Sequence, residues 1–157
     1  IERACDDPEA MDAKNKMQIA SFYAGVAITA SGTTAVHALS YPLGGKYHIP
    51  HGVSNAILLA PVMRFNEPAC RDRLAEAYDR CLHGSAQTVE EKSASVIARL
   101  EDIVKHLDIP TSLAQLGVSG ENLEELVASG MEVTRLLVNN MREVTPDDAR
   151  RIYQEVL

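Results

Sequence analysis

Along most of this chain apolar residues return at steps of three and four and almost nowhere alternate, so helices are the regular structure able to bury them. Met11, Ile19, Phe22 and Val26 mark one row in the first third, and Ala20, Tyr23 and Ala27 mark another. By its middle this segment is apolar on most faces, which predicts deep burial. Val53, Ala56, Ile57, Leu58, Ala60 and Val62 build a second, almost wholly apolar helix, the expected core element. Strand patterns, fixed-period repeats and low-complexity tracts do not stand out. The expected fold is all-α, a bundle of roughly seven to eight helices.

Caps and breakers set the expected boundaries. Asp7-Pro8-Glu9 reads as a helix start, with Asp7 as cap and Pro8 at the first helical position. Gly32 interrupts that helix, and Thr33 or Thr34 can cap a shorter one that Pro42 should end. Gly44 and Gly45 then form a turn, and Pro50 precedes or opens the core helix. Beyond Asn66-Glu67-Pro68, charged amphipathic helices are expected over 69–82 and 89–107, the second behind the capping box Thr88-Val89-Glu90-Glu91. Asp108-Ile109-Pro110 reads as a linker, 111–116 as a short helix stopped by Gly117, and 122–139 as another helix with Gly130 as its weak point. Thr145-Pro146-Asp147-Asp148 caps a final helix through Tyr153.

The totals narrow the classes of function. At 157 residues the chain is the size of one domain. With 22 acidic residues against 15 basic, a formal charge of −7 and no basic cluster, nucleic acid is not an expected partner. The stretch Ile19 to Ala30 is interrupted by Ser21, Gly25 and Thr29 and is too short to span a bilayer, so no membrane segment is expected. Cys5, Cys70 and Cys81 are odd in number and form no CxxC pair, which argues against a disulfide framework or thiolate zinc site and for a reducing, cytoplasmic setting. The opening IERACDDPEA lacks both Met and a signal-peptide pattern, and the chain is expected to be a fragment.

Chemistry concentrates in HALSYPLGGKYHIPHG, residues 37–52. Gly45-Lys46 does not make a phosphate loop, because Ser40 stands where the first glycine is required and Tyr47 where Ser or Thr is. HExxH, GxSxG and recognisable Cys-His pairings are missing as well. The histidines remain. His37 falls on a helix and His51 at the start of the next, and a Pro-Gly-Gly turn can bring their imidazoles together, an arrangement that suits Fe, Zn, Ni or Cu. By spacing alone, surface histidines or core histidines with satisfied hydrogen bonds are the commoner case, and two ligands do not complete a metal site. His48 reads as an exposed loop residue or a pocket-lining group. His83 and His106 fit helix C-terminal positions. Asn55, one turn after His51, is a candidate brace for the ligand helix.

The pattern H-x13-H, with PLGG between and PHGVSNAILLAPVMRFN around and after the second histidine, resembles the signature of iron-containing (group III) alcohol dehydrogenases. The similarity extends more loosely through ASFYAGVAITASGTTAVHAL and on to VTPDDARRIYQEVL. It implies the family's C-terminal helical domain, with His37 and His51 as two of three histidine ligands of a divalent metal, Fe²⁺ first and Zn²⁺ as the alternative. It also implies that the third histidine and an aspartate come from an earlier helix, whose Asp-Ala-Leu-x-His segment has no counterpart here. NAD or NADP would be bound mainly by an N-terminal α/β domain. That domain and the start of the helical domain are expected to be absent, in keeping with the lack of GxGxxG and of strands.

Many family members carry a second histidine four residues after the first ligand, assigned to proton relay near the nicotinamide, and this chain has Tyr41 there. A tyrosine with an ordinary pKa near ~10 relays protons only if strongly tuned, so Tyr41 is either a modified relay or a packing residue of the pocket. The implied function is that of an alcohol dehydrogenase or aldehyde reductase acting on a small alcohol or aldehyde, as a homo-oligomer, with the isolated chain inactive. The alternatives are a non-catalytic helical scaffold and a maleylacetate-reductase-like relative.

Overall fold

A computed structural model describes residues 1–157 and contains eight α-helices, two short 3₁₀ turns and no strands. The helices are α1 (Glu2–Asp6), α2 (Met11–Ser31), α3 (Ala35–Tyr47), α4 (His51–Cys81), α5 (Val89–His106), α6 (Leu123–Met131), α7 (Thr134–Leu137) and α8 (Pro146–Gln154). They divide into two compact units, residues 1–33 and 34–157. No single helix is long and apolar enough to cross a membrane.

The first unit holds α1 and α2. Arg3 donates a bidentate pair of hydrogen bonds to Asp12, at 3.0 and 2.9 Å, tying the two helices together. Asp7 accepts from the Glu9 N–H at 2.9 Å, so the Asp-Pro-Glu stretch forms a turn and the helix begins at Met11. The deep burial expected for α2 is not found: none of its residues is buried, and Phe22 is 69% exposed. A helix apolar on most faces needs cover from several sides, and within its unit only five-residue α1 is available.

In the second unit, Leu39 and Leu43 of α3, Leu58 and Val62 of α4, Leu126 of α6 and Tyr153 of α8 meet in one buried core. Pro42 does not end α3. Its ring crowds the Ala38 carbonyl and it donates no N–H, but Pro42 is itself buried beside Leu43, and tertiary packing carries the helix on to Tyr47. Gly44 and Gly45 are therefore helical. The reversal falls at His48, whose φ of 55° is left-handed, and the Ile49 N–H returns to the Leu43 carbonyl at 3.3 Å.

The break expected at Asn66-Glu67-Pro68 is present just beyond Pro68, where a kink at Cys70 (φ −134°, ψ 16°) divides α4 into two helical stretches. Around the kink α4 packs on α5, where Glu67 accepts from Ser93 at 2.6 Å and from Arg71 at 2.7 Å. The capping boxes on α5 and α8 form as expected, with Thr88 paired to Glu91 and Thr145 to Asp148. The helix expected over 122–139 is split into α6 and α7 by a turn at Glu132-Val133.

Two contacts fix the end of the chain to the core. The Tyr153 hydroxyl donates to the Leu39 carbonyl at 2.6 Å, and burial pushes that phenol far above its ordinary pKa, keeping it a donor. Asn66 on α4 and Asn140, in the loop after α7, exchange amide hydrogen bonds of 3.0 and 2.8 Å. Beside them Arg142 lies over the Phe65 ring at 4.3 Å and donates to the Phe65 carbonyl.

Candidate metal centre

Residues four apart share a helix face, which places Tyr41 one turn from His37 on α3 and Asn55 one turn from His51 on α4. The tight reversal at His48-Ile49-Pro50 brings these two pairs together. The His37 and His51 ring centroids are 5.3 Å apart with the rings tilted 53° to each other, and Tyr41 packs at 6.2 Å from the His51 ring.

Asn55 stands between the imidazoles. Its Nδ2 lies 3.3 Å from His37 Nε2 and 3.0 Å from His51 Nε2. An amide nitrogen only donates, so the tautomer that forms these two hydrogen bonds is the one in which each Nε2 turns a lone pair toward the same point. The partial burial of His37, and then the neighbouring His51, hold its pKa below the ordinary histidine value, which favours the neutral ring with a free lone pair. The other side of the same amide, Asn55 Oδ1, is buried without a hydrogen-bond partner. Two imidazoles aimed at one point and an unsatisfied buried oxygen beside them fit part of a coordination site for a borderline divalent metal. No group of three or more His, Cys, Asp or Glu side chains is gathered here or elsewhere in the chain.

The other histidines stay apart from this cluster's contacts. His48 is exposed at the end of α3, His83 follows α4 with φ 50°, and His106 ends α5. Asn55 does more than brace its helix, since it bridges both imidazoles. Arg135 on α7 was not evident from the sequence: its guanidinium carbon lies 6.0 Å from the Tyr41 ring centroid, and no local spacing announces a contact so distant along the chain.

The whole chain, residues 1–157, matches the family described as Fe-containing alcohol dehydrogenase family, C-terminal, and it belongs to that family. Among particular proteins it is similar to long-chain-alcohol dehydrogenase 1 of Geobacillus thermodenitrificans, with 36% identity over 144 residues, covering 90% of this chain and 36% of the relative. The NAD-dependent methanol dehydrogenase of Bacillus methanolicus is 29% identical over 160 residues, covering 100% of this chain and 41% of the relative. The solved alcohol dehydrogenase from Oenococcus oeni superposes with a TM-score of 0.89 at 26% identity, covering 99% of this chain and 41% of that one. The chain thus spans well under half the length of the relatives it matches.

Proposed function

We propose that these 157 residues are the bulk of the helical, metal-binding domain of an NAD(P)-linked alcohol dehydrogenase or aldehyde reductase acting on small alcohols or aldehydes. The observation that carries this reading is the convergence of His37 Nε2 and His51 Nε2 on the Asn55 amide. The dehydrogenase names of the relatives support it from outside the site.

His37 and His51 would hold the divalent metal, Fe²⁺ in preference to Zn²⁺. Once bound, the metal would supply Lewis acidity toward a substrate oxygen, the polarisation that alcohol oxidation by a nicotinamide needs. Asn55 keeps the two imidazoles turned inward before the metal arrives, which reduces the ordering needed on binding. Tyr41, packed on His51, walls the site and has a hydroxyl able to donate to a substrate oxygen. The complete enzyme is read as a cytoplasmic homo-oligomer, with the third histidine, the aspartate and most of the nicotinamide site supplied from outside residues 1–157.

His37→Ala and His51→Ala in the full-length protein test the assignment. Each should abolish both metal retention after dialysis and alcohol turnover, and a variant that keeps metal and activity overturns it. The isolated chain should bind Fe²⁺ or Zn²⁺ only weakly and be inactive. Tight one-to-one binding by calorimetry, lost in the same variants, would contradict a site shared with residues beyond this chain.

A further inference from the structure

Arginines in this acidic chain are mostly neutralised. Arg3, Arg64, Arg71, Arg80, Arg150 and Arg151 each hold a carboxylate. Arg135 holds none, although the chain carries seven more negative than positive charges. Its guanidinium lies over the face of Tyr41, 6.0 Å from the ring centroid. Tyr41 in turn packs 6.2 Å from the His51 imidazole. The exposed guanidinium therefore lies two ring contacts from the imidazole pair, across the side chain that walls it.

A guanidinium stacked on an aromatic face keeps its in-plane N–H donors free for a planar bidentate acceptor. We propose that Arg135 anchors a carboxylate at the far end of the substrate, so that the site selects short ω-hydroxy acids and their aldehydes over neutral alcohols of the same chain length. This inference rests on the dehydrogenase reading above. It goes beyond that reading by assigning the substrate a charge and this chain a residue that recognises it. The alcohol end faces the imidazole pair, the carbon chain crosses Tyr41, and the carboxylate meets Arg135. An unpaired cation is an asset at such a position, because no resident carboxylate has to be displaced before the substrate binds.

The same cation chemistry also suits the pyrophosphate of the nicotinamide cofactor, and kinetics on the metal-loaded full-length protein separate the two. The readout is the ratio of kcat/KM for an ω-hydroxy carboxylate to that for the neutral diol of equal carbon number. Arg135→Gln should lower this ratio about ten- to a hundredfold, the loss expected for a charge-assisted hydrogen-bonded pair, and Arg135→Lys should restore part of it. An unchanged ratio, or a rise confined to the KM of the cofactor, overturns the proposal.

A second measurement does not depend on turnover. Calorimetric titration of the full-length protein with a non-reactive dicarboxylate such as glutarate should show binding that Arg135→Gln weakens by a similar factor. Glutarate binding that depends on Arg135, in a protein that oxidises no alcohol, would refute the dehydrogenase reading and keep the anion site. Alcohol oxidation with no Arg135-dependent glutarate binding would refute the anion site alone.

Discussion

Replacing Tyr153 with phenylalanine deletes one oxygen from the centre of the core. That oxygen donates to the Leu39 carbonyl at 2.6 Å, both residues are fully buried, and no solvent is at hand to take over the bond. A neutral hydrogen bond contributes about 1 kcal/mol net, and a buried acceptor left short of its partner adds to the loss, so Tyr153→Phe should cost about 1–2 kcal/mol. With a urea dependence of about 2 kcal/mol per molar, the unfolding midpoint followed by circular dichroism should fall by roughly 0.5–1 M with its slope unchanged. Tyr153→Ala, which also removes the ring, should cost about 3–5 kcal/mol.

The alkaline limb gives an independent check. The folded-state pKa of Tyr153 is raised, so its contribution is intact below the ordinary tyrosine value near ~10 and is lost as pH climbs above it, where only the unfolded chain ionises. Wild type should therefore lose stability above that pH faster than Tyr153→Phe does, and the gap between them should narrow. An unchanged midpoint at neutral pH, or a gap that widens on the alkaline side, would refute the reasoning.

Four further substitutions probe other parts of the fold and site. A Cβ at Gly130 would stand 2.8 Å from Leu39 Cδ2 and 3.2 Å from Tyr153 Oη, so Gly130→Ala should lose about 1–3 kcal/mol to overpacking, against about 1 kcal/mol gained in helix propensity. A net rise in the urea midpoint would show that Leu39 can move aside. Thr145→Ala removes the acceptor for the Asp148 N–H and should cost about 1 kcal/mol. Burial would raise the Asp148 carboxyl, but hydrogen bonds from Thr145 and the Arg151 charge outweigh it and leave the pKa lowered. The stability Asp148 contributes is present above the ordinary carboxylate value and lost as pH falls through the depressed one, so Asp148→Asn should flatten the acid limb of unfolding. In the full-length protein, Asn55→Ala should weaken metal retention about ten- to a hundredfold without unfolding the chain, measured as bound metal after dialysis against a chelator.

Local signals were readable and long-range ones were not. The boxes at Thr88-Glu91 and Thr145-Asp148 form because each bond spans three residues and asks nothing of the rest of the chain. Pro42 misled because its local penalty is outweighed by packing against elements far along the sequence, whereas the break expected at Asn66-Glu67-Pro68 falls at the Cys70 kink just beyond it. Gly130 did mark a weakness, since the helix expected to continue to Asn139 breaks two residues later, and the close approach of Leu39 explains the missing side chain. His37 and His51 stand out through the resemblance of their surroundings to a family signature, since their spacing alone is a weak signal, and Asn55 through its i, i+4 step from His51. Arg135 leaves none, for its relation to Tyr41 exists only once α7 is docked.

The Asn66–Asn140 amide exchange has a geometric consequence. α4 carries His51 and Asn55 in its first turns and, farther along, the clasp that holds the loop leaving α7. Both landmarks are thus referred to one rod, and the gap between them becomes a fixed gauge. The distance from the turn that carries His51 to the loop after α7 is therefore set by the stiffness of one helix.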